Sequence, residues 1–198
     1  MKDPGILFLC PFKAEAKVLA SLLPECRQAD ARHWKFKGGQ IYTWNGAGEQ
    51  PLLAALADQQ MPAGFNRFIL FGSAGALAPE IETGRFFAAG AVTDGETSLV
   101  GRVPAGFEPA KILTVKRAIF EPGRRLKAWQ KTGAGLVDME AFYFCRHFAT
   151  TGQAAAVIRF VSDTAREPFS MPFSQGLLEK IAGQRKLFAE LPVLGLNV

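Results

Sequence analysis

Four short stretches of this chain place carboxylates or glycines where apolar runs end, and open α/β sheets bind their ligands at the ends of strands. The first is Glu15, just beyond the run Ile6-Leu7-Phe8-Leu9-Cys10 and at the start of the following helix. A carboxylate there can position and deprotonate a water, although a first-turn Glu is also favoured simply by the helix dipole. The second is Gly72-Ser73-Ala74-Gly75-Ala76, directly after Arg67 to Phe71. Glycines let the backbone approach a ligand and expose its amides, and a tight strand-to-loop turn needs them equally. The third is Asp138-Met139-Glu140-Ala141, where a thioether could lie against a sugar ring and a carboxylate on its hydroxyls. An acid-rich first helical turn would read the same way. The fourth is Val161-Ser162-Asp163-Thr164-Ala165, after the strongest strand pattern of the chain. Asp163 there suits either a general acid or a helix N-cap.

The elements that must hold these residues follow from hydrophobic patterning. Ile6–Cys10 is continuously apolar, as a strand covered on both faces should be. Pro11 ends it, and Lys13 to Leu23 follows as a helix with Ala14, Val18 and Leu22 on one face and Pro24 as its stop. Further strands are predicted over Gln40–Trp44, Arg67–Phe71, Arg85–Val92, Ile112–Val115, Leu136–Val137 and Ala154–Val161. Helices are predicted over Leu52–Gln59, Arg124–Lys131, Met139–Phe148 and Gln175–Leu191, with Pro104 to Pro109 as a loop. Buried runs alternating with helices give an α/β fold with a parallel or mixed sheet.

Composition narrows the class. The 198 residues suffice for one compact domain, and shares of 48% apolar and 21% charged residues are those of a globular protein. The apolar run near the start is too short for a membrane span or a signal segment, so the expected location is cytoplasmic, without a membrane partner. Cys10, Cys26 and Cys145 are odd in number and widely spaced, which indicates free thiols and no metal site. No cofactor is implied. The net charge of +5 is concentrated in Lys111, Lys116, Arg117, Arg124, Arg125, Lys127 and Lys131, offset locally by Glu121. No nucleic-acid-binding module accompanies that stretch, so it is read as a solvated face and no nucleic-acid partner is expected.

The joint order of the four stretches resembles the nucleoside phosphorylase superfamily, and within it the methylthioadenosine/adenosylhomocysteine nucleosidases. The resemblance runs from Ile6 to about Ala165. It rests on Phe71-Gly72-Ser73-Ala74-Gly75-Ala76-Leu77 followed by Glu82-Thr83-Gly84-Arg85, on Val137-Asp138-Met139-Glu140-Ala141, and on Val161-Ser162-Asp163-Thr164-Ala165. It implies a single domain over residues 1–198, a three-layer fold with a mixed, mainly parallel twisted sheet, a purine nucleoside as ligand and a homodimer. It also implies roles: Asp163 protonates the purine ring, with Ser162 before it as a substrate-binding residue; Glu140 binds the ribose hydroxyls with Met139 packed beside it. Ser73, Ala74 and Gly75 lie along base and sugar, and Ile119 and Phe120, in a strand before the basic helix, pack on the base.

Glu15 decides the reaction type. Phosphorylases of the superfamily hold phosphate with arginines near the first strand and just before the Gly-rich turn. Here those places read Pro11-Phe12-Lys13-Ala14-Glu15 and Leu70-Phe71. A glutamate at Glu15 matches the water-activating residue of the nucleosidases and would repel phosphate, so hydrolysis is expected. The alternatives are a phosphorylase, including one of the adenosyl-hopane type, and a non-catalytic nucleoside-binding protein. The short stretch from Glu96 to Phe120, expected to lack a helix, departs from the family pattern and bears on pocket size and dimer contact.

Overall fold

The computed structural model describes residues 5–189. Its first strand, β1 (Ile6–Cys10), is buried along its whole length. Ile6, Phe8 and Cys10 enter one apolar cluster and Leu7 and Leu9 the other, so the strand is covered on both faces. Helix α1 (Lys13–Leu22) packs Val18, Leu19 and Leu22 into the first cluster, each such side chain contributing roughly 1.5–3 kcal/mol by its burial. Strands β2 (Arg27–Gln28), β3 (His33–Phe36) and β4 (Gly39–Thr43) run on from there, with β4 parallel to β1 and the shorter pair folded back antiparallel. Helix α2 (Glu49–Leu56) sends Leu52 and Ala55 into the second cluster.

The remaining strands are β5 (Arg67–Ala76), β6 (Phe86–Thr93), β7 (Ser98–Val100), β8 (Glu108–Thr114), β9 (Leu136–Asp138) and β10 (Ala154–Asp163). Helix α3 (Pro122–Thr132) lies between β8 and β9, and α4 (Ala141–Thr151) between β9 and β10. The chain continues through α5 (Gln175–Ala182) and α6 (Lys186–Ala189). Successive pairings β5–β10, β10–β6, β6–β8, β8–β9 and β9–β5 return to their starting strand, so five strands close into a barrel. Strands β1 to β4 extend the sheet from β5.

Strand β5 determines where a site can form. One of its edges is paired with β10 along nearly all its length. The other edge pairs with β1 over Arg67–Leu70 and only later, at Gly75 and Ala76, with β9. Between them, Phe71 to Ala74 face no strand on that side, and the amides that point that way are open to side chains or ligands. A crevice at the carboxyl end of β1 follows directly, of the kind that binds ligands in open sheets.

Several expectations need correction. The described strand pairings divide evenly, five parallel and five antiparallel, so the sheet is mixed without being mainly parallel, and it closes on itself instead of forming a plain middle layer. The Gly-rich stretch from Gly72 to Ala76 is not a turn but the second half of β5, because β10 supplies hydrogen-bond partners as far as Gly75. Likewise Asp163 ends β10 beyond a bulge, and does not cap a helix. Ile119 and Phe120 lie in the loop between β8 and α3, since β8 ends at Thr114. The helix expected over Gln175–Leu191 is broken at Gly183 into α5 and α6, and its last two residues lie outside the described residues. No helix is found between residues 96 and 120, as expected. No described helix is long and apolar enough to cross a membrane.

Candidate active site

The crevice beside β5 opens into a cavity of about 280 Å³. Glu15, Ser73, Ala74, Gly75, Ile119, Phe120, Met139, Glu140, Ser162 and Asp163 all line it. Five different elements or loops deliver them: α1, β5, the loop after β8, the junction of β9 with α4, and the end of β10.

Glu15 is the third residue of α1, and its Oε2 accepts the amide of Phe12 at 3.1 Å, capping the helix start. Its Oε1 crosses to β5 and accepts both the amide and the hydroxyl of Ser73, each at 2.7 Å. Those donors are available because that edge of β5 has no strand partner at that point. Burial pushes the Glu15 carboxyl up from its ordinary value, against the hydrogen bonds and the charge of Arg159.

Glu140 is the N-cap residue of α4 and equally buried. Its Oε1 accepts the amide of Gly48 at 2.7 Å and its Oε2 accepts from Nη2 of Arg159 at 3.1 Å. Burial raises its pKa to about 7, with Arg159 opposing the shift and Asp138 adding to it. Asp138, at the end of β9, accepts from Nε and Nη2 of Arg159 at 3.0 and 2.6 Å, from the Thr114 hydroxyl at 2.7 Å and from the amide of Ala141 at 3.0 Å. It therefore fixes α4 and Arg159 together, and with them the orientation of Glu140.

Arg159 was not foreseen. It is fully buried in the middle of β10, with apolar residues from Ala154 to Val161 on either side of it. Its Nη1 has no hydrogen-bond partner. A Cβ on Gly72 would stand 2.6 Å from that nitrogen and 2.9 Å from Oε1 of Glu15, so only glycine lets the two groups converge there. The signal was in the sequence: a charge inside a buried strand must be paired, and carboxylates were already placed nearby.

Asp163 is also held tightly. Ser162 donates to its Oδ1 at 2.5 Å, and the guanidinium of Arg125 is ion-paired with its Oδ2. Arg125 comes from α3, within the basic stretch read as solvated. That reading holds for the exposed Lys116, Arg117, Arg124, Lys127 and Lys131, but Arg125 is buried, turned inward against the cavity. No arginine stands beside the end of β1 or just before Gly72, yet Arg125 reaches the cavity from α3, tied to Asp163, while Arg159 stays buried behind Asp138 and Glu140.

Much of the remaining lining is apolar, with Phe12, Val115, Ile119, Phe120, Phe169 and Met171. Phe120 is 57% exposed at the rim, 6.3 Å ring to ring from Phe169. His147 packs on Phe148 away from the cavity, and Phe142, Phe144 and Phe148 are core residues.

The three-dimensional comparison identifies the architecture. The MTAN of Chlamydia trachomatis bound to adenine superposes with a TM-score of 0.69 at 19% identity, covering 98% of each chain. The fold is that of the MTAN enzymes. A Helicobacter pylori MTAN aspartate-to-asparagine mutant with 5′-methylthioadenosine in the active site matches at TM-score 0.66 and 14% identity, over 92% of this chain and 95% of that one. The 5′-methylthioadenosine/S-adenosylhomocysteine nucleosidase of the same organism with butyl-thio-DADMe-Immucillin-A gives TM-score 0.66 at 15% identity, over 92% and 94%. No protein-family model and no curated protein matches the sequence. The MTAN fold brings the four sequence stretches to one rim although so little identity remains.

Proposed function

We propose that the protein is a purine-nucleoside N-ribosyl hydrolase, a nucleosidase acting on an adenosine-type nucleoside with a 5′ substituent. The observation that carries this reading is the convergence of Asp163, Glu140 and Glu15, three carboxylates in three different settings, on one cavity. The neighbours of the same fold that hold adenine and 5′-methylthioadenosine support the choice of base.

Each carboxylate has a distinct task. Asp163 protonates the five-membered ring of the purine as the glycosidic bond breaks, because a purine anion leaves poorly; a positioned general acid contributes roughly 10²–10⁴-fold. Glu140, already holding the Gly48 amide, binds the ribose hydroxyls. With a carboxyl raised to about 7 it can meet a hydroxyl as donor or acceptor near neutral pH. Met139 packs on the sugar beside it. Glu15, raised by burial and fixed by Ser73, is the base for water. The buried guanidinium of Arg159 and Oε1 of Glu15 both close on Gly72, so the positive charge stands beside this carboxylate. Ile119 and Phe120 cover the base.

Phosphorolysis needs a free cation facing the cavity, but Arg125 is ion-paired with Asp163, Arg159 is fully buried, and the Glu15 carboxylate opposes an anion, so hydrolysis is the reading. A non-catalytic binder would have no need of all three buried carboxylates. A cytoplasmic homodimer belongs to the same reading and is supported by the family resemblance. The test is the Asp163→Asn variant assayed for base release: loss of turnover is expected, and wild-type turnover contradicts the assignment.

A further inference from the structure

The two oxygens of Asp163 meet partners of opposite capability. Oδ2 faces Arg125, whose guanidinium donates and never accepts. Arg125 is itself locked in place: Nε donates to the carbonyl of Ile119 at 2.9 Å, and Nη1 to those of Ala76 at 3.1 Å and Asp163 at 3.3 Å. Gly75 leaves room for the pair, because a Cβ there would stand 3.0 Å from Oδ2 and 3.2 Å from Nη1. Oδ1 faces the Ser162 hydroxyl, which also reaches the Ala74 carbonyl at 3.3 Å. A hydroxyl has one proton for these two acceptors, so it can serve only one of them at a time.

An acid must hold a proton before it delivers one. A proton on Oδ2 would point at the donors of Arg125 and find no acceptor. A proton on Oδ1 meets no such obstacle, because Ser162 can turn its own proton to the Ala74 carbonyl. We propose that Arg125 is a positioning residue for the general acid: it assigns the transferable proton to Oδ1 of Asp163, while the Ser162 hydroxyl turns between Oδ1 and Ala74 as the acid unloads and reloads. The inference rests on the reading of Asp163 as the acid. In the step itself the Oδ1–H bond breaks, an N–H bond forms on the purine, and the electron pair of the C1′–N9 bond passes to the base. Water gives its hydroxyl to C1′ and a proton to Glu15; Glu15 then releases that proton to solvent, and solvent returns one to Asp163. Through the Ile119 carbonyl, Arg125 also links the loop that covers the base to the acid that protonates it.

The test is steady-state hydrolysis of 5′-methylthioadenosine by Arg125→Met, Arg125→Lys and Ser162→Ala, with kcat and KM separated and thermal unfolding recorded in parallel. Arg125→Met is expected to lose roughly 10²-fold in kcat, the lower end of what a general acid contributes. Its KM should stay within about threefold of wild type, because substrate binding is not the function removed. Arg125→Lys restores a cation at Oδ2 and should recover part of kcat, and Ser162→Ala should lower kcat as well. A merely structural ion pair would lower the melting temperature and raise KM while kcat stayed at the wild-type value, which would overturn the inference. Should Arg125→Met not fold, wild-type kcat in Ser162→Ala has the same force. Wild-type turnover in Asp163→Asn, or no cleavage by the wild-type protein, would instead remove the acid reading beneath it. An inactive Asp163→Asn beside undiminished Arg125 and Ser162 variants would overturn this inference alone.

Discussion

Oε1 of Glu15 accepts two hydrogen bonds from Ser73, one from its amide and one from its hydroxyl, both at 2.7 Å. The contact joins the first turn of α1 to the one part of β5 that lacks a strand neighbour on that side, and it aims a buried carboxylate into the cavity. In Glu15→Gln the amide oxygen can still accept from Ser73, but the side chain has no carboxylate to take a proton from water, and its NH₂ would face the Phe12 amide, another donor. Base release should fall by at least roughly 10²-fold, while adenine affinity measured by calorimetry changes little. Undiminished release would remove Glu15 from the chemistry.

Glu140 makes stability depend on pH. Its pKa lies at about 7 in the folded protein against an ordinary value of 4.5, so the folded state binds the extra proton between those limits. This contribution to stability is complete below 4.5 and is lost as pH rises through 7. Melting temperatures across that range should therefore decline more steeply for the wild-type protein than for Glu140→Gln. Parallel profiles would show that Glu140 is not raised.

Arg159 holds Asp138 and Glu140 together with no exposed surface of its own. Arg159→Leu leaves two buried carboxylates without their cation, a change that costs about 3–5 kcal/mol where one partner of a buried pair is removed. Urea unfolding measures it. Unchanged stability would mean that the carboxylates are hydrated or otherwise compensated.

Gly72 is required by its neighbours more than by its backbone. An added methyl at 2.6 Å from Arg159 Nη1 and 2.9 Å from Glu15 Oε1 must push one of them aside. Gly72→Ala should destabilise the fold by roughly 1–3 kcal/mol, as overpacking does, and should lower base release at the same time. Full activity would show that the two groups do not need to meet there.

Much of this site could be read from the chain because its carboxylates stand at strand ends, and strand ends are marked by hydrophobic patterning. Glu15, Glu140 and Asp163 were found that way, and the cavity receives all three. The arginines were harder. Arg159 lies inside a strand, where patterning reports only burial and says nothing of which carboxylate will pair with the charge. Arg125 stands among exposed cations, and nothing local separates the one that turns inward from those that do not. Closure of the barrel was equally hidden, since β9 has three residues and its partners are set by long-range pairing, not by local propensity. The Gly-rich stretch looked like a turn for the same reason: β10, more than seventy residues later in the chain, keeps it extended.

The most direct measurement is base release by the purified protein from 5′-methylthioadenosine, S-adenosylhomocysteine, adenosine and inosine, with and without phosphate. A hydrolase using Asp163, Glu15 and Glu140 releases free base at the same rate whether or not phosphate is present, and gives the free sugar as its second product. Release that requires phosphate and yields a sugar 1-phosphate would contradict it.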